Sequence, residues 1–190
     1  SIMVDSSVDV GSQIFFNGGT LQSGQTYYPL QLPFAIGDGT DPAVFEMLSE
    51  PSPGIHTFGF SVVISNNGLL KGFGTITTNV VVNSGGTIAP GSTNIGNITV
   101  LGPLALLAGS TTLIKLNALS GTADSLTGMS DVLYGGTLQL TNIAGSLAAG
   151  NSFKLFSATN YGFAFDSLSP ASPGSGLRWN TNELTIDGVL

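Results

Sequence analysis

Hydrophobic residues in this chain come in short runs. Groups of Val, Ile, Thr, Leu and Phe recur every few positions, each closed by Gly, Asn or Ser, as brief strands separated by tight turns require. The pattern predicts strands over residues 58–64, 75–77, 80–82, 98–101, 104–107, 111–116, 137–140 and 153–156. The connecting Asn-Gly, Ser-Gly-Gly and Ala-Gly pairs tolerate positive φ at little cost. Helical spacing is nearly missing. Residues 41–49 offer Asp41 as a cap, Pro42 at the first helical position and Val44, Phe45 and Leu48 on one face. The same stretch also reads as a strand over 44–47, and that reading is preferred.

Some of the runs repeat. Asn-Gly-Gly-Thr-Leu at 17–21 returns as Ser-Gly-Gly-Thr-Ile at 84–88 and as Tyr-Gly-Gly-Thr-Leu at 134–138. A second echo joins Leu-Leu-Ala-Gly-Ser at 106–110 to Leu-Ala-Ala-Gly-Asn at 147–151. This cadence fits a β-solenoid, in which each rung turns a few apolar residues inward and each corner needs a residue that bends sharply. One coil cannot bury its own face, so neighbouring coils must stack. Regularly spaced short strands are also what an antiparallel β-sandwich requires. That fold remains the alternative, and the longer strands after Ser110 make the C-terminal part the more sandwich-like.

Composition narrows the setting. Only 8% of the 190 residues are charged, against about 25% in typical soluble domains. Ser, Thr, Asn and 27 Gly must therefore clothe the surface, a blend too apolar for disorder and suited to a β-rich extracellular protein. Eleven carboxylates against four cations leave a net charge of −7. Those cations, Lys71, Lys115, Lys154 and Arg178, are too scattered to track a phosphate backbone, which excludes nucleic acid as a partner. There is no cysteine, which by itself leaves the compartment open. No stretch is long and apolar enough for a transmembrane helix; the most apolar one, 101–108, is short and carries Gly102 and Pro103. The chain starts at Ser1 without a basic or apolar leader, which fits export with removal of a signal peptide.

Residues 72–91 read Gly-Phe-Gly-Thr-Ile-Thr-Thr-Asn-Val-Val-Val-Asn-Ser-Gly-Gly-Thr-Ile-Ala-Pro-Gly. This segment resembles the autotransporter-associated β-strand repeat of bacterial surface passenger domains. Residues 104–110 and 111–116 look like the next strand, turn and strand of that pattern. Asp124 and residues 131–140 resemble its Asp, apolar pair, Gly-Gly-Thr-Leu element. Residues 149–156, 163–168 and 176–180 are similar to its closing segment. The likeness covers about residues 68–190 and is looser over 1–67, where 37–40 and 56–58 fit an upstream coil. It implies one right-handed parallel β-helix across 1–190, displayed at the bacterial cell surface, with no catalytic residues and no cofactor of its own. Family members are usually segments of far longer chains with a membrane-anchoring β-barrel, so the resemblance implies that this chain is a fragment, a processed piece or a secreted subunit.

The chemistry on offer is sparse. His56 is the only histidine, and no Gly-x-Ser-x-Gly elbow accompanies it; it reads as a local hydrogen-bonding residue at a strand start. The close carboxylate pairs are Asp38 with Asp41 and Glu46 with Glu50. A glycosidase needs two carboxylates facing one bond, and a polysaccharide-degrading β-helix enzyme around Asp38 and Asp41 is the least favoured reading. The same two aspartates are weak calcium candidates, since Asp38-Gly-Thr-Asp41 offers oxygen ligands in a loop without the spacing of an EF-hand. Tyr27, Tyr28 and Trp179 are candidate glycan contacts, because exposed aromatic faces stack on sugars. Phe58 with Phe60 and Phe163 with Phe165 share strand faces and read as core.

Both ends of the chain read as strands. Ile2, Val4, Val8 and Val10 alternate in part, as do Leu184 and Ile186. An end strand that completes the sheet of another copy makes a non-closing, head-to-tail contact. The expectation is a non-enzymatic extracellular scaffold or filament-forming subunit with itself as partner, the six terminal residues being the joint. The alternative is an adhesive or carbohydrate-binding module.

Overall fold

The computed structural model describes residues 14–28, 32–48 and 54–190. Among them the chain winds as a parallel β-helix. The first coil contains β1 (Ile14–Phe16), β2 (Gly19–Ser23) and β3 (Thr26–Tyr28). Next come β4 (Phe34–Ile36), β5 (Ala43–Met47) and β6 (Gly54–Phe58), then β7 (Val62–Ile64), β8 (Gly68–Gly72) and β9 (Gly74–Ile76). A further coil holds β10 (Val80–Val82), β11 (Thr87–Pro90) and β12 (Asn97–Val100). The wider C-terminal coils use β13 (Leu104–Leu106), β14 (Thr111–Asn117), the short β15 (Thr122–Ala123), β16 (Ser125–Tyr134), β17 (Thr137–Ala144), β18 (Phe156–Phe163) and β19 (Ser167–Ser169).

Each strand pairs with its counterpart one coil away, so the strands fall into three faces. The first runs β1-β4-β7-β10-β13 and ends on the second half of β16; the third runs β3-β6-β9-β12 and ends on its first half. Because β16 turns that corner without breaking, these two faces join as one 11-stranded sheet that also takes in β18. The remaining face runs β2-β5-β8-β11-β14-β17-β19. All these pairings are parallel, the exception being the β14–β15 hairpin. The longer strands after Ser110 belong to the same winding, so the sandwich-like reading of that part is corrected. Strand length there reflects strands that overrun the corners.

Alternation of side chains generates the core. On the second face, Phe45, Leu70, Ile88, Thr112, Leu138 and Leu168 stand in one inward row. On the first face, Phe34, Val62, Val80, Leu104 and Val132 form another, all buried. Fully burying a Val, Leu or Ile is worth roughly 1.5–3 kcal/mol, so the stack of coils supplies what no single coil can. Corners demand glycine. Gly136 has a φ of 61°, and a methyl there would meet the Ser110 carbonyl one coil below.

Three sequence expectations change. The predicted strand 58–64 is two strands, β6 and β7, split by a corner at Gly59, Phe60 and Ser61. Phe58 is buried, whereas Phe60 lies beyond the corner and is exposed. Residues 153–155 bond in an antiparallel manner to residues 188–190, and only the Leu155 carbonyl reaches the previous coil, accepting from the Leu126 amide at 2.9 Å, so the last coil strand begins at Phe156. The stretch expected to be a C-terminal strand is a 3-10 turn, Asn182–Thr185. Its Leu184 plugs the interior beside Phe156, and its carbonyl accepts from the Tyr134 hydroxyl at 2.9 Å. The preferred strand at 44–47 is present as β5.

Candidate functional site

A cleft of about 420 Å³ lies beside Trp179 at the C-terminal end of the β-helix. One wall is the 147–151 turn that leaves β17; the other is the irregular 173–180 segment. Leu147, Phe153 and Leu177 give it an apolar floor, and Asn151, Arg178, Trp179 and Asn180 line it. The Trp179 ring is fixed, because its Nε1 donates to the Pro170 carbonyl at 2.9 Å. Asn151 Oδ1 accepts from the Ala148 amide at 2.8 Å, and Asn180 Oδ1 accepts from the Asn182 amide at 3.2 Å. These self-closures shape the two walls.

A shallower groove of about 420 Å³ lies on the outer side of the second face. Lys71, Lys115, Leu69, Thr87 and Ser92 are among the residues that line it. Beside it Glu46 accepts from Gln22 Nε2 at 2.9 Å and Ser92 Oγ at 3.1 Å and pairs with Lys71 Nζ at 3.1 Å. The bond from Gln22, with Lys71 assisting, holds the Glu46 carboxyl below its usual range. Deeper in, Asp124 is fully buried where the β14–β15 hairpin closes. It accepts at 2.7 Å from the Gly96 amide, the Lys115 amide and the Lys115 ammonium, which also donates to the Pro90 carbonyl at 2.8 Å. Burial pushes the Asp124 carboxyl up against the pull of those donors. Sequence reasoning noticed Asp124 only as part of a repeat. A lysine within the predicted 111–116 strand and an aspartate beyond its turn were the available signal.

The predicted site residues are dispersed. Asp38 and Asp41 lie on an exposed corner. Asp38 accepts from the Thr40 amide at 2.9 Å and from Asn17 Nδ2 at 3.1 Å, which holds its carboxyl low, the amide first. Among the described residues no three His, Cys, Asp or Glu gather into a metal-binding group. His56 is buried on β6, its Nδ1 3.0 Å from Thr26 Oγ1 and its Nε2 without a partner. Desolvation lowers its pKa to about 4, so the ring is neutral. Phe163 is exposed at the end of β18, where its φ of 60° breaks the alternation that placed it in the core, while Phe165 packs 4.8 Å from Tyr134. Ile186 is exposed, and Leu184 is buried in its own chain. Ile2, Val4, Val8 and Val10 lie outside the described residues, as do the side chains of Tyr27 and Tyr28, whose backbone forms part of β3.

No helix among the described residues is long and apolar enough to cross a membrane. Comparison with known proteins finds no matching family model and no curated protein that matches the chain.

Proposed function

We propose that the chain is a non-enzymatic structural protein: a β-solenoid exported to the bacterial surface that acts as a scaffold and joins copies head to tail. The observation that carries this reading is the outward row that continues from coil to coil along the second face. Thr20, Val44, Leu69, Thr87, Thr111, Thr137 and Ser167 form one outward row from β2 to β19. The third face repeats the arrangement with Ile55, Thr75, Thr99, Thr127 and Ser157. There Asn97 Nδ2 bridges coils by donating at 2.9 Å to Ser125 Oγ and Thr127 Oγ1. Such ladders stiffen a rod and hydrate it without charge, as a protein with so few charged residues needs.

The ends support the joint. Among the described residues β19 pairs only with β17, and β18 only with β16, which leaves strand edges at the C-terminal end beyond the Phe156 amide, itself bonded to the Gly188 carbonyl. Unpaired edges are templates for another strand. Leu184 closes the interior there, so the joint runs through edge hydrogen bonds and not through the core. The resemblance of residues 68–190 to surface passenger repeats agrees with an exported location.

Deleting residues 2–10 tests the assembly. The variant is expected to keep its circular-dichroism melt and to remain monomeric by light scattering under conditions in which the intact chain associates. A deletion variant that still polymerises sinks the head-to-tail reading.

A further inference from the structure

The cleft at the C-terminal end has a chemical bias that the scaffold reading does not use. Three of the four cations are engaged within the chain: Lys71 pairs with Glu46, Lys115 with Asp124, and Lys154 donates to the Asp187 carbonyl. Arg178 makes no hydrogen bond or ion pair with a described residue, although the molecule carries a net charge of −7. It is exposed on the wall of the cleft beside the anchored Trp179. The two flanking amides have the same polarity. Asn151 and Asn180 each spend their carbonyl oxygen on a backbone amide, and no described residue accepts from either Nδ2. Every polar side-chain group left free on this lining is therefore a donor.

We propose that this cleft binds an acidic sugar, a uronate-containing oligosaccharide. Arg178 pairs with the carboxylate, for which a planar guanidinium is the matching donor. The indole face of Trp179 packs on the C–H face of the sugar ring, and the Asn151 and Asn180 amides donate to ring or hydroxyl oxygens. The volume of about 420 Å³ lies within the range of small-ligand sites. An acidic peptide offers the carboxylate but neither a flat C–H face for the indole nor a ring of hydroxyl acceptors for the two amides. The cleft lies at the same end as the proposed joint, but its test reads ligand binding and not association, so the failure of one reading is distinguishable from the failure of the other.

Trp179 is the only tryptophan, so fluorescence excited selectively at tryptophan reports on this cleft. The test titrates the intact protein at low salt with a short oligogalacturonate, its methyl-esterified form and a glutamate peptide of equal charge, with calorimetry on the same samples. The expected result is a saturable signal for the acid form, roughly tenfold weaker for the ester, as loss of one charge-assisted contact implies. Arg178→Gln, with an unchanged melting curve, should bind acid and ester equally. No heat and no fluorescence change at millimolar acid sugar would overturn the proposal. So would equal binding of the ester, equal binding of the peptide, or an Arg178→Gln protein that keeps the preference.

Discussion

Asp124 and His56 are titratable residues buried completely, and their partners decide what that burial costs. Asp124 has two backbone donors and one ammonium. Removing one member of a buried ion pair typically costs about 3–5 kcal/mol, because the other charge is stranded. Asp124→Ala strands both the Lys115 ammonium and the two amides and is expected to lose that amount in urea midpoints. Lys115→Met should cost clearly less, since Asp124 keeps its amides and its raised pKa lets it take up a proton. Equal losses would contradict this account of the site. His56 behaves differently. Its folded pKa of about 4 lies below the ordinary 6.5, so the unfolded chain binds the proton first as pH falls. The stability tied to a neutral His56 is complete above pH 6.5 and is lost as pH falls through about 4. The shift corresponds to about 3 kcal/mol. The stability of the wild type relative to His56→Leu, followed by denaturation across that window, should fall by this amount as pH is lowered; a difference flat with pH would count against a buried neutral ring.

At the scale of strands and corners, the repeats were partly legible. Thr20, Thr87 and Thr137 of the three Gly-Gly-Thr echoes stand in one row of the second face, so that spacing did reflect coil geometry. The Ala-Gly echo did not: residues 106–110 link β13 to β14, and 147–151 link β17 to β18. Ala-Gly suits any tight bend, so it carries no register. The strand expected at 58–64 failed because apolar alternation continues straight through a corner, and only pairing with other coils shows the break. Corner glycines give the sharpest test. Gly136 and Gly176 both have positive φ, 61° and 74°, but only Gly136 abuts the backbone of another coil, Gly176 having open space around it. Gly176→Ala should cost about 1 kcal/mol from backbone strain alone. Gly136→Ala should cost at least about 2 kcal/mol, as the clash adds to that strain. Thermal melts of the two variants check the difference, and equal melting shifts would mean that the close approach at Gly136 does not constrain the corner.

For the molecule as a whole, short strands with glycine corners announced a solenoid, yet the same pattern fitted a sandwich. Parallel pairing settles the matter, and it is a long-range property: Asn97 meets Ser125, 28 residues on, with nothing local to either residue that declares it. The C-terminal cleft was hidden for the same reason, since Asn151 and Arg178 approach only after the last coil is wound. Trp179 was named from the sequence as an aromatic face able to stack on sugar, and the fold places it on the wall of the cleft. What remains at this scale is whether a rod with ladders along its faces and open strand edges at one end works alone or in series. Electron microscopy of the intact protein at near-physiological salt, with light scattering for size, answers that directly. Ordered filaments, lengthening with concentration, are the predicted result; uniform monomers at every concentration would contradict the assembly account.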